Sequence, residues 1–255
     1  MSFPIPTDSS SKITYDDISM NGESVGKIVE DLSNRNVEHH RFAHLDPDLN
    51  ELAYPRLPGW RPLFGAGSAA HSHLKTNGVA IGDVFLFFGW FRQTELINGR
   101  YRFVKGAPDL HIIFGWLQIG AIVTTEEEVM LPWAKYHHHF RPPLYPNDAV
   151  YVSRSRLELN GLKKGMKGGG VFGMYREELR LTCPDQPKRS LWRLPKWFYP
   201  QNRPPLTHHT DMSRWRLEDD SALLQSVGRG QEFVLEADRY PKAIAWVRGL
   251  IESAA

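Results

Sequence analysis

Apolar residues recur with two different periods along this chain, and the change of period divides it. Residues 25–32 (VGKIVEDL) put Val25, Ile28, Val29 and Leu32 on one face at helical spacing, which predicts a short amphipathic helix. Residues 66–74 predict a second helix, opened by the Gly65-Ala66-Gly67-Ser68 turn and ended by Asn77-Gly78. Between these helices runs a hydrophilic stretch with Asn34, Arg35, His39, His40, Arg41 and His44. From residue 84 the pattern changes to strands. The aromatic run over residues 84–91 (VFLFFGWF) suits a strand buried on both faces. Residues 101–104 predict its partner, with Asn98-Gly99 as the hairpin-type turn between the two. Residues 111–114 run on into 116–123 as a further strand or bent pair, with Gly115 and Gly120 inside it. So many strands in so short a stretch predict an antiparallel sheet, a small barrel being one form it could take.

Farther along, residues 149–152 and 179–182 predict strands on either side of a flexible basic loop at 161–170 (GLKKGMKGGG). Residues 191–205 are too rich in Pro to predict a regular element. Ile244, Val247, Leu250 and Ile251 share one stripe of residues 241–252, which predicts a C-terminal helix. Neither an internal repeat nor a dividing linker interrupts the chain. The expected fold is therefore α+β, a single domain over residues 1–255: a mostly antiparallel β core with flanking helices and a C-terminal helix.

Composition narrows the function classes. A chain of 255 residues can bury a large core without staples, since roughly 70–75% of its unfolded surface disappears on folding. An apolar fraction of 41% and a charged fraction of 24% argue against disorder of the whole chain. Eight Trp must pack a core or line a surface. A net charge of +2 is compatible with a nucleotide or a few phosphates, but does not give the footprint of a dedicated DNA-binding domain. Cys183 is the only cysteine, which excludes an intramolecular disulfide and a thiolate metal cluster. The longest apolar run, residues 84–88, is far short of the roughly 20 residues that span a bilayer. The start has neither a basic segment nor a long apolar one. A soluble, cytoplasmic protein with no membrane partner is expected.

Several groups of residues carry possible chemistry. His44 and Asp46 are two apart, so on extended chain their side chains share a face, as a general base and its orienting carboxylate would; Asp46-Pro47-Asp48 also reads as a turn or helix cap. Two imidazoles of His137-His138-His139, joined by His44 or Asp46, would make a facial triad suited to Fe(II) or Zn(II). The plainer reading of that run is a polar turn into Arg141-Pro142-Pro143, and no metal ligand is assigned. Arg56 and Arg61 beside the Gly65–Ser68 turn offer guanidinium groups at a helix start, a phosphate-binding recipe short of a P-loop. Lys163, Lys164 and Lys167 with Gly168-Gly169-Gly170 read more simply as a flexible loop. Trp90 and Trp116 are candidates to stack a base. Gln231 could read a base edge, and Glu232 could perform acid/base work. Cys183, followed by Pro184, has nothing to activate it.

A resemblance adds to these readings. His44-Leu45-Asp46-Pro47-Asp48-Leu49, Leu57-Pro58-Gly59-Trp60-Arg61-Pro62-Leu63-Phe64-Gly65 and the run from Gly82-Asp83 to Phe91 are similar to nucleotide modification associated domain 3. Phe114-Gly115-Trp116-Leu117-Gln118-Ile119-Gly120 and Gly230-Gln231-Glu232-Phe233-Val234 continue the likeness in order. It implies a part in making, removing or recognising modified bases in DNA, in phage or anti-phage settings and beside other DNA-modification proteins. It also implies a further N-terminal segment before the Pro-Ile-Pro at residues 4–6, so that either the start lies downstream of the true one or this member lacks the segment. A looser likeness links Gly82-Asp83, the aromatic strand and the strand with Leu117 and Ile119 to small β-barrels of the pseudouridine-synthase-and-archaeosine-transglycosylase type, which read modified bases.

Two functions follow as expectations. One is an enzyme acting on a nucleobase or nucleotide, with His44, Asp46 and Glu232 catalytic and Arg56, Arg61, Trp90, Trp116 and Gln231 holding the substrate. The other is a non-catalytic β-barrel module that binds modified bases. Neither reading names a cofactor or an oligomeric state.

Overall fold

The computed structural model describes residues 3–7, 11–124, 131–140, 147–161, 165–184, 186, 188–228 and 232–253. The expected Pro-rich turn at 141–146, Lys163, Lys164, Gly230 and Gln231 lie outside these residues.

Near the N-terminus, strand β1 (Ile5–Pro6) awaits a partner from farther along the chain. β2 (Ser19–Met20) and β3 (Glu23–Ser24) form a hairpin whose turn, Asn21-Gly22, takes the positive φ those residues tolerate. Helix α1 (Val25–Leu32) follows, with the Ser24 hydroxyl accepting from the Gly26 N–H to cap it. Its apolar stripe packs Val25 and Val29 against Ile13, Tyr15 and Ala43. That packing fixes β4 (Ala43–His44), which pairs antiparallel with β1, Ile5 opposite His44. Just beyond, Asp48 exchanges both backbone hydrogen bonds with Leu63, the first residue of β5 (Leu63–Ala66). The segment from Ala43 to Asp48 is thus tied at one end to an N-terminal apolar cluster and at the other to a sheet.

Helix α2 (Ser68–Thr76) leaves β5 through Gly67 and stops at Asn77. β6 (Val84–Phe91) then pairs with the spine of the molecule, the fifteen-residue β9 (Leu110–Thr124). The two predicted pieces of β9 are one continuous strand. Asn98-Gly99 does turn a hairpin, but between β7 (Thr94–Ile97) and β8 (Arg100–Phe103), a separate two-stranded ribbon. β10 (Ala149–Ser153) lies between β9 and β5, and β11 (Gly169–Val171), in the expected basic loop, pairs with β9 at Gly115–Leu117.

A three-stranded sheet completes the fold, with β14 (Ser221–Gln225) between β12 (Leu191–Pro195) and β13 (Trp215–Leu217). β12 occupies a stretch read as irregular: its Pro stands at the strand end, and Trp192 and Leu194 alternate into the core. Residues 179–182 form only isolated bridges, Arg180 to Ile112 and Thr182 to Trp192. Helix α3 (Ala243–Glu252) packs Leu250 into the cluster of Trp192, Trp215 and Leu224.

The fold is α+β with several antiparallel sheets, none closed into a barrel among the described residues. This corrects the barrel form of the expectation. β9 spends its length on three different partners, so β5 and β6 lie at ends of the arrangement and do not meet as paired strands. No described helix is long and apolar enough to cross a membrane.

One core group is acid-sensitive. His111 is buried between Phe88 and Trp192, its Nδ1 accepting from the Trp192 indole at 2.9 Å. Burial, aided by the Arg189 charge, pushes its pKa down to about 4. The unfolded chain takes the proton near pH 6.5, so this stabilisation is complete above that pH and is lost as pH falls toward 4. At about 1.4 kcal/mol for each tenfold change in proton affinity, the linkage is worth roughly 3 kcal/mol. His111→Gln keeps an acceptor for the indole. Urea unfolding at pH 7 and pH 4 should show wild type losing that much more stability than the variant; equal losses would show that the acid-sensitive group is elsewhere.

Candidate functional site

Asp46 is the centre of the site. Its side chain is only 6% exposed, and three segments converge on it. β4 supplies His44, whose Nε2 lies 3.9 Å from Asp46 Oδ2. β5 supplies the Gly65 N–H, which donates to Oδ1 at 2.9 Å. The third segment is the His run, where short 3-10 turns at Pro132–Ala134 and His138–Phe140 set the rings of His137 and His139 nearly parallel. His137 Nε2 stands 3.4 Å from Oδ1, and His139 Nε2 stands 3.6 Å from Oδ2. His138 packs its ring on His44 at 4.3 Å between centroids.

Glycine at residue 65 is required by close approach: a Cβ there would overlap the His139 ring. His139 is also held from behind, its Nδ1 lying 3.4 Å from Asp148 Oδ2, while Asp148 Oδ1 accepts from the Ser68 hydroxyl at the start of α2. The carboxylate of Asp148 therefore stands where an anion at this helix start was expected. The Gly65–Ser68 turn serves the site by letting an imidazole lie on the strand.

Burial alone would raise the Asp46 carboxyl, but His137 and His139 overcome it and hold the group well below the usual carboxylate range. For His44 burial dominates over the attraction of Asp46, and the neighbouring imidazoles add to it, so its pKa falls to about 4. His139 goes the other way: burial lowers it, yet Asp46 and Asp148 together raise it above the ordinary value. At neutral pH the centre holds an ionised carboxylate beside one neutral and one readily protonated imidazole. His44 Nε2, His139 Nδ1 and both ring nitrogens of His137 are buried without a hydrogen bond. The nearest atoms of His44, Asp46 and His139 lie within 4.8 Å of one another, so these are the residues that could hold a metal ion.

Other expected site residues lie apart from this centre. Arg56 is committed to Asp48, with two hydrogen bonds of 2.6 Å, and to Tyr136 and the Asn50 carbonyl, while Trp60 covers its face at 4.2 Å. Arg61 donates to the Ser153 carbonyl at 3.0 Å. Trp116 is buried against Phe172, and the exposed Trp90 has Arg189 stacked over it at 3.8 Å. Glu232 is half-buried on irregular chain beside His73, not on a strand. Gln231 lies outside the described residues. A cavity of about 670 Å³, lined by Phe88, Trp192, Trp197, Phe233 and Trp246, is touched by none of these expected residues.

The family model of nucleotide modification associated domain 3 matches residues 1–236, which include this whole site. The chain belongs to that family. Its name ties the domain to nucleotide modification. No curated protein and no solved structure matches the chain. In this family member the sequence signal for the centre was the His44-x-Asp46 spacing and the triple His. Asp148 carried none, being one acidic residue before a strand.

The Asp48–Arg56 pair separates structural from functional roles. Asp48 is fully buried, so Arg56→Met leaves an uncompensated charge and should cost about 3–5 kcal/mol in urea unfolding. Unfolding within 1 kcal/mol of wild type would free Arg56 for a role at the substrate.

Proposed function

We propose that the chain is an enzyme that modifies a nucleobase or nucleotide, with Asp46, His44 and His139 as its reacting groups and His137 holding the carboxylate. One observation carries this reading: an ionised carboxylate is kept in a nearly dry place among imidazoles, and several of their buried ring nitrogens make no hydrogen bond among the described residues. Such groups are costly to bury and contribute little to stability unless paired, and pKa values pushed apart in one place are the usual mark of acid/base work. His44, more exposed than the others, forms the rim from which a substrate would be reached. The family's name supports a nucleotide or nucleobase as the substrate class, and DNA bases in a phage or anti-phage setting are the narrower class proposed.

A second reading has one observation in its favour. The aromatic-lined cavity beside β6 and α3 has the size and the flat faces that hold a base, as a binding module would need. Trp116, expected to stack the base, is core, and no barrel forms among the described residues, so that reading rests on the cavity alone.

The two are separated by mass spectrometry of nucleosides and free nucleotides from cells expressing the wild type or Asp46→Asn. The enzyme reading expects a mass change in a base or nucleotide with wild type, reduced at least a hundredfold by the variant. A change of equal size with both proteins would remove Asp46 from the chemistry. No change with either, together with retention of modified nucleosides by the purified protein, would favour the binding module.

A further inference from the structure

We propose that His44 Nε2, Asp46 Oδ2 and His139 Nε2 bind a single divalent first-row transition metal ion, with Fe(II) the ion this donor set suits best. The inference deepens the reading above: it rests on the same cluster being the reaction centre, and it assigns His44, Asp46 and His139 to holding an ion rather than to acid/base work. Four features of the cluster support it.

The first is separation. Asp46 Oδ2 lies 3.9 Å from His44 Nε2 and 3.6 Å from His139 Nε2, beyond hydrogen-bond length. Two ligands about 2.1 Å from a shared ion sit roughly 3.0–3.4 Å apart, so the three atoms close onto an ion through shifts on the order of 1 Å. The second is the division of labour between the carboxylate oxygens. Oδ1 takes the Gly65 N–H and faces His137, whereas Oδ2 faces His44 and His139. One oxygen orients the group and the other is turned to the two imidazoles.

Third, His139 has the outer support that metal-bound imidazoles need. Asp148 lies behind Nδ1, which turns Nε2 toward Asp46, and Ser68 in turn holds Asp148. Fourth, His44 Nε2 is itself buried and makes no hydrogen bond among the described residues, and a ring nitrogen left that way is costly unless something meets it. Two imidazoles and one carboxylate on one face, with no thiolate, favour Fe(II), Mn(II), Co(II) or Zn(II) over Mg²⁺ or Ca²⁺, which prefer oxygen ligands. Three protein ligands leave positions for water and substrate, the arrangement of a reactive centre.

The test uses the full chain stripped of metal and no nucleotide. Calorimetric titration with Fe(II) under anaerobic conditions, and with Co(II) followed by its visible spectrum, should give one ion per chain. His44→Ala and His139→Ala should each weaken binding about a hundredfold or more, and Asp148→Asn about 10–100-fold. His40→Ala, on the exposed loop, should leave affinity unchanged. Should His139→Ala fail to fold, His44→Ala at the rim still decides the matter. Wild-type affinity in His44→Ala and Asp46→Asn, or less than about a tenth of an ion per wild-type chain, would overturn the inference. A metal-free wild type that still changes the base mass would sink the metal centre while leaving the enzyme standing.

Discussion

The structure turns on two buried carboxylates two residues apart. Asp46 and Asp48 both lie on the segment that joins the N-terminal apolar cluster to β5, and the fold must give each a partner or bear the desolvation. It treats them in opposite ways. The Asp48 carboxylate receives a guanidinium fork from Arg56 and the Tyr136 hydroxyl at 2.5 Å, so both of its oxygens are met, while its backbone exchanges two bonds with Leu63. Among the described residues Asp46 receives a single backbone N–H and a ring of imidazoles at distances too long or too poorly aligned for full hydrogen bonds. A fully compensated pair is inert and locks geometry; an under-compensated carboxylate keeps its reactivity. The first is the support on which the second is built.

That support explains the reach of the site along the sequence. His44 and Asp46 come from one strand and the loop after it, but Gly65, His139 and Asp148 arrive through β5 and the segments around it. β5 pairs with β10, whose chain enters directly after Asp148, and the Gly65 position lets the His139 ring rest against the strand. The ring of Tyr136 beside Arg56 anchors the chain just before His137. Arg56 therefore braces the His run from a distance, through Tyr136 and the backbone that follows it.

What was legible in the sequence follows from how local each feature is. α1 was read to the residue because its stripe and cap lie within the helix. His44 and Asp46 were read as a pair because a spacing of two on extended chain brings side chains to one face. Arg56 reads as a phosphate group's partner because a basic group beside a Gly-rich turn matches that recipe, and nothing local reveals that Asp48 claims it in the structure. β12 was missed because Pro content was allowed to outweigh the alternation of Trp192 and Leu194; that Pro sits where the strand ends and removes no interior hydrogen bond. The triple His reads as a polar turn because three consecutive side chains do not share a face of regular chain. The 3-10 turns changed that geometry, pointing His137 and His139 together while His138 packs on His44.

The choice between catalyst and binding module comes down to what each would require of this fold. A module that stacks a base needs flat apolar faces, and the cavity lined by Trp192, Trp197, Phe233 and Trp246 supplies them with no help from Asp46. Binding there would leave the imidazole cluster without a purpose, and such a cluster is expensive: well-packed apolar residues in its place would be neutral or stabilising. Its partly met charges are the kind of local conflict that natural sequences retain where chemistry demands it. The cavity can coexist with catalysis, as a place that holds an aromatic group. A buried and partly unpartnered set of one carboxylate and three histidines is hard to explain by binding in that cavity alone, and this asymmetry favours the enzyme.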